Sequence, residues 1–137
     1  GLGDVYKRQV RELGLADVIF TGQIKFDEIL AYYHLADVFL CMSEHEGFCV
    51  PIVESMYFNV PVVARDTSAI AWTMGGSGVL LPDDDPIMAA EMVNRVLTDE
   101  TLKEKILKNQ RIRLQDFDNQ KVKTQFLQII DKIIQGK

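Results

Sequence analysis

The chain has 137 residues, of which 47% are hydrophobic and 26% charged, with a formal net charge of −5. That is one domain's worth of chain, with enough apolar side chains for a core. The acidic balance argues against nucleic acid as a main partner, since phosphate binding needs a clustered basic surface, and no apolar run approaches the roughly 18 residues of a membrane span.

The chain opens without Met, and Asp4-Val5-Tyr6-Lys7-Arg8-Gln9 resembles a translated transposon end used in sequencing libraries. Residues 1–9 therefore read either as a non-native leader or as an ordinary helix start, and residues 10–137 as a single domain. Val18-Ile19-Phe20 is a short β-type run stopped by Thr21-Gly22. Phe26, Ile29, Leu30 and Tyr33 recur at helical spacing, with Asp27 and Glu28 in the first turn, where negative charge suits the helix dipole.

Ala36-Asp37 breaks that helix, and Val38-Phe39-Leu40-Cys41 reads as a second buried strand. A polar, glycine-containing loop follows from Ser43 to Phe48. Pro51 then sits where a helix begins, because its missing N–H costs nothing in the first turn. Asn59 can end that helix in a left-handed conformation.

Pro61-Val62-Val63-Ala64 is a third strand, and Val79-Leu80-Leu81 a fourth, after a loop holding Gly75, Gly76 and Gly78. Asp83, Asp84 and Asp85 before Pro86 make a turn and a helix start rather than a metal site. The last third is helical. Its stripes are Ala89, Met92, Val93 and Val96, then Leu102, Ile106 and Leu107, then Phe126, Ile129, Ile130 and Ile133, with breaks near 98–101 and 117–119. Lys103, Lys105, Lys108, Arg111 and Arg113 read as a solvated helix face.

Strands that are continuous apolar runs are buried on both faces. Alternated with helices they give an α/β fold: a Rossmann-like parallel sheet with helices on both faces, followed by C-terminal helices. That fold alone decides no function. Cys41 and Cys49 form no CxxC pair and no Cys/His ligand spacing, so neither a structural zinc site nor a disulfide framework is expected. With no signal peptide visible, the reading is a reducing, cytoplasmic compartment.

Ligands of open α/β sheets bind beyond the carboxyl ends of strands, near helix N-termini. The segment after the second strand is Ser43-Glu44-His45-Glu46-Gly47-Phe48-Cys49-Val50-Pro51-Ile52-Val53-Glu54. Free N–H groups at the helix start suit a phosphate. Gly47 lets backbone approach a ligand closely. Glu46 and Glu54 can each accept hydrogen bonds from a sugar diol. A nucleotide-sugar needs both kinds of contact.

The pattern Ser-x-x-Glu-Gly-Phe-x-x-Pro-x-x-Glu resembles the signature of glycosyltransferase family 4, of the two-Rossmann GT-B architecture. Tyr33 to Val38, Pro61 to Ala64 and Gly75 to Gly78 also look like that family's C-terminal domain, over roughly residues 10–130. The resemblance implies a retaining enzyme that moves a sugar from a nucleotide-diphosphate sugar to a glycan, lipid or other acceptor. It places Glu54 on the ribose, Glu46 on the donor sugar, and the backbone of Gly47, Phe48, Cys49 and Val50 along the sugar and diphosphate. Gln23 and Ile24 would lie near the base. It implies no cofactor and no metal, the nucleotide-sugar being a substrate. Partners would be that donor and an N-terminal acceptor domain, with neither nucleic acid nor a transmembrane segment, and the parent would sit in the cytoplasm, peripheral to the inner membrane face.

This sequence departs from the family pattern. Cys49 stands where Gly is usual, which matters if that residue is left-handed. Trp72 replaces a common acidic residue, and packing suits it better than stacking on a base. The family's phosphate-neutralising Arg and Lys, and its catalytic His, lie upstream of the matched region, so these residues read as a fragment inactive alone. Two family strands between those at Val18 and Val38 also lie upstream, so open sheet edges imply self-association or a rearranged first strand. The alternatives are a non-catalytic nucleotide-sugar-binding module and a GT-B epimerase fragment. Without the surrounding pattern, Glu46 and Glu54 would be solvated carboxylates. His45 is an exposed loop residue, and Cys49 lacks an adjacent base that would make it a nucleophile.

Overall fold

The computed structural model describes residues 2–134, which fall into two compact units divided between Ala31 and Tyr32. In the first unit, helix α1 spans Leu2–Glu12 and carries an exposed Arg8–Glu12 pair at 3.6 Å, one turn apart. Gly14, at φ 67°, turns the chain out of the helix. The predicted strand at Val18-Ile19-Phe20 does not form among the described residues. These side chains are exposed, Ile19 by 76%. A lone apolar run gains nothing from extension, because its N–H and C=O groups need a partner strand. Helix α2, Phe26–Leu35, starts where predicted, and the Glu28 carboxylate accepts from the Lys25 N–H at 2.8 Å, closing the helix start.

The second unit is built on a three-stranded parallel sheet, β1 (Phe39–Cys41), β2 (Val62–Arg65) and β3 (Val79–Leu81), in the order β1-β2-β3. Phe39 pairs with Val62, and Val63 with Val79. The strands stand where continuous apolar runs predicted them. Helix α3 (Val50–Tyr57) joins β1 to β2, and α4 (Ile70–Met74) joins β2 to β3. Then come α5 (Pro86–Thr98), α6 (Glu100–Leu114), a 3-10 turn at Gln115–Phe117, and α7 (Asn119–Ile134).

Strand β2 explains the layering. Its side chains alternate, so Val62 and Ala64 join Ile52 and Met56 of α3 and Ile70 and Met74 of α4 in one cluster. Val63 points into the other, with Leu81, Ala89, Val96 and Ile106. Both faces of the sheet are therefore covered. Each fully buried side chain of this kind contributes roughly 1.5–3 kcal/mol, so the central strand holds both layers together.

Capping agrees with the sequence. Asp85 accepts from the Ile87 N–H at 2.8 Å and Asp99 from the Leu102 N–H at 3.0 Å, so the aspartates before Pro86 do form a turn and a helix cap. Asn59 is left-handed, at φ 56°, just past α3.

Three features of the last third differ from expectation. Gln110, which the apolar stripe of this helix did not include, is fully buried. It accepts from the Val62 N–H at 2.9 Å and donates to the Val60 carbonyl at 2.8 Å, pinning α6 to the entry of β2. Arg113 is not a solvated base either. It donates to the Thr73 carbonyl at 3.1 Å and to Asp116 at 2.9 Å. On α7 the apolar stripe is uncovered, with Phe126 and Ile129 exposed, and the side chain of Ile133 lies outside the described residues. Among the described residues no helix is long and apolar enough to cross a membrane.

Candidate functional site

The carboxyl end of β1 and the start of α3 bring together most of the residues singled out from the sequence. Strand β1 ends at Cys41, the loop runs from Met42 to Cys49, and α3 begins at Val50 with Pro51 in its first turn. Two threonines tether the loop. Thr67 donates to the Ser43 carbonyl at 2.7 Å, and Thr73 donates to the Phe48 carbonyl at 2.6 Å. Neither belongs to the pattern that marked the site. Both sit in the segment after β2, where only the folded chain shows their reach. His45 is exposed, and its Nδ1 lies 3.3 Å from the Ser68 hydroxyl.

Cys49 is the N-cap of α3 and adopts φ 62°, ψ 67°, with no side-chain capping bond. The replacement of Gly by Cys therefore does matter. A side chain in the left-handed region costs roughly 1–2 kcal/mol. The residue persists there because its thiol is buried, packed with Cys41, Ile52 and Met56.

Glu54 lies one turn into α3 and is half-buried. Its Oε2 accepts from the Tyr33 hydroxyl at 2.9 Å. The Tyr33 ring stacks on Phe58, with centroids 5.3 Å apart and planes 3° from parallel. Burial, and then the Glu54 carboxylate, push the Tyr33 phenol above its ordinary range, so it remains a donor. Tyr33 thus fixes the Glu54 rotamer while leaving the second carboxylate oxygen for another partner. His34, beside it, meets Phe58 edge-on at 4.8 Å.

Glu46 is half-buried, whereas Gly47, Phe48 and Val50 are exposed. A Cβ added at Gly47 would meet nothing within 4 Å. Among the described residues, the loop and turn hydrogen bonds leave the N–H groups of Gly47, Phe48 and Cys49 unused. Phe48 packs near Trp72 (6.1 Å) and edge-on to Phe117 (5.6 Å), and the Arg113 guanidinium covers Trp72 at 5.1 Å. Trp72 therefore forms an aromatic cluster with Phe48 and Phe117 while 64% of it stays exposed. Gln23 and Ile24 belong to the other unit, where Gln23 is exposed and Ile24 half-buried.

The fold also joins side chains that sequence spacing did not connect. The Sγ atoms of Cys41 and Cys49 lie 3.9 Å apart, both thiols are free, and the Glu46 carboxylate shares their neighbourhood. Burial, and then the neighbouring Cys41, push the Cys49 thiol up to about 12, which does not suit a nucleophile.

Residues 2–113 match the family described as glycosyl transferases group 1. The chain is 28% identical over 128 residues to an alpha-1,4-N-acetyl-D-galactosaminyltransferase of Campylobacter jejuni, covering 91% of this chain and 35% of that protein. Over 65 residues it is 37% identical to a GDP-mannose-dependent alpha-mannosyltransferase of Mycolicibacterium smegmatis, covering 47% of this chain and 17% of the relative. Among solved structures it is similar to the C-terminal domain of a group 1 family glycosyl transferase from Francisella tularensis, with a TM-score of 0.72 and 25% identity over 85% of this chain and 62% of that one. The parallel α/β fold is that of GT-B glycosyltransferases. The chain spans about a third of the length of the Campylobacter relative, and less of the Mycolicibacterium one.

Proposed function

We propose that this chain, which belongs to the group 1 glycosyl transferases, is the donor-binding domain of a retaining enzyme that takes a sugar from a nucleotide-diphosphate sugar. The observation that carries this reading is the preset Glu54 carboxylate, held by Tyr33 at 2.9 Å beside a loop with open backbone. In this reading Glu54 accepts from the ribose hydroxyls and Glu46 from hydroxyls of the donor sugar. The N–H groups of Gly47, Phe48, Cys49 and Val50 face the sugar and diphosphate, at a helix start where the dipole favours negative charge.

The relatives' names support the reading. One names GDP-mannose, a nucleotide-diphosphate sugar, and both specify alpha linkages, which suits retention from an alpha-linked donor. The chemistry asks little of side chains as bases. Charge develops on the leaving diphosphate, and positioned dipoles stabilise it. We assign no step to a metal. The acceptor, a glycan or a lipid, and the cations that neutralise the diphosphate are assigned to other parts of a full-length enzyme working in the cytoplasm.

The test is Glu54→Ala in a full-length protein carrying this domain. A carboxylate hydrogen bond is worth about 1.5–3 kcal/mol, so donor affinity falls roughly 10- to 100-fold and transfer falls with it. Unchanged donor affinity in that variant overturns the assignment.

A further inference from the structure

Cys41 ends β1 and Cys49 caps α3, so seven intervening residues form a loop whose two ends meet through their thiols. The Sγ atoms are 3.9 Å apart. A disulfide needs about 2.05 Å, so the thiols would have to close by nearly half of their separation. Two thiolates on one tetrahedral zinc ion, each about 2.3 Å from the metal, stand about 3.8 Å apart. The two thiols share a hydrogen bond at this distance, and the same spacing fits the edge of a tetrahedral metal site. One carboxylate oxygen of Glu46 completes the group, with all three ligand atoms within 4.8 Å of one another, and the other oxygen stays available to the donor-sugar hydroxyls. Both cysteines are buried and Glu46 is half-buried, so the set faces inward at the loop's base and opens toward the loop.

We propose that Cys41, Cys49 and Glu46 form a three-ligand site for a thiophilic divalent cation, with Zn²⁺ as the best match. Two sulfur ligands favour zinc over magnesium or calcium, which take oxygen. Three protein ligands leave the fourth tetrahedral position for water or another small ligand. Binding converts both thiols to thiolates. Two S–H bonds break, two metal–sulfur bonds form, and two protons pass to solvent with no change of oxidation state. With Cys49 left-handed at φ 62°, its Sγ lies 3.9 Å from that of Cys41 at the helix start.

Cobalt(II) is the probe, added to the 137-residue chain under a non-thiol reductant and without any sugar nucleotide, so the result is independent of donor binding. The expected result is one equivalent bound with a near-ultraviolet thiolate-to-cobalt charge-transfer band and intense visible bands of a tetrahedral ion. One equivalent of Zn²⁺ then bleaches both. Cys49→Gly fits the left-handed backbone and keeps the fold, as circular dichroism verifies, and it weakens binding at least 100-fold. Cys41→Ser does the same by removing the other thiolate. Glu46→Gln keeps the charge-transfer band while weakening binding about tenfold. A chain without the charge-transfer band, or a band that survives Cys49→Gly, overturns the site. Unaltered affinity in Glu46→Gln overturns the three-ligand assignment.

Discussion

The loop from Ser43 to Cys49 and the turn from Gly75 to Gly78 both owe their shape to glycine or to a residue acting as one, yet for opposite reasons. At Gly78 the fold itself forbids a side chain, since a Cβ would stand 2.6 Å from the Val62 carbonyl oxygen of the central strand. At Gly47 the fold forbids nothing, because that direction is open. Two residues on, Cys49 occupies a left-handed conformation with a side chain in place. A glycine crowded by its own chain maintains packing. A glycine in open space does not, and beside Gly47 the N–H groups of Phe48 and Cys49 have no partner among the described residues. The contrast separates Gly78, closed in by the chain's own packing, from Gly47, whose backbone is open.

Gly78→Ala tests the first half and has the largest effect. It forces β2 and the turn apart and costs roughly 2–3 kcal/mol in urea unfolding, by analogy with overpacking in a closed core. Tyr33→Phe comes next. It removes one hydrogen bond to Glu54 and costs about 1 kcal/mol at neutral pH. It also changes the pH dependence. The Tyr33 phenol is raised above its ordinary value of 10.0 in the folded chain, so the unfolded chain loses that proton first. Its contribution is complete below pH 10 and declines as the pH rises beyond it, and Tyr33→Phe flattens that decline in unfolding curves between pH 9 and 11.

Cys49 supplies a reversal of the usual order. Within a helix or strand, Ala is more stable than Gly by about 0.5–1 kcal/mol. At φ 62° the order inverts, and Cys49→Gly is more stable than Cys49→Ala by about 1 kcal/mol in the same assay. Gly47→Ala is the smallest change in stability, within about 0.5 kcal/mol of the parent chain. If Gly47→Ala unfolds the chain as readily as Gly78→Ala does, the contrast between the two regions is lost.

What the sequence revealed follows from how locally each feature is encoded. The three strands of the second unit were legible as apolar runs, and the start of α3 from Pro51. The Asp85 cap and the left-handed Asn59 depend on single residue types. Val18 to Phe20 carried the same apolar signal and formed no strand, because a strand is a property of a pair. Arg113 looked solvated from its neighbours and is not, and nothing local marked Gln110 as buried, since their partners lie 40 and 48 residues away. The candidate site was legible as a list and not as an arrangement. Glu46, Gly47 and Glu54 stood out in the pattern. The Tyr33 contact to Glu54, the threonine tethers and the meeting of Cys41 with Cys49 needed the fold.

The central claim is that the segment from Ser43 to Glu54 receives a nucleotide-sugar. Isothermal calorimetry of a full-length protein carrying this domain against GDP- and UDP-sugars, with Glu54→Ala in parallel, addresses it most directly. The expected result is saturable binding of at least one donor, weakened 10-fold or more in the variant while the melting temperature stays close to that of the parent chain. Binding of the same strength in both proteins, or no binding of any donor to either, would contradict it.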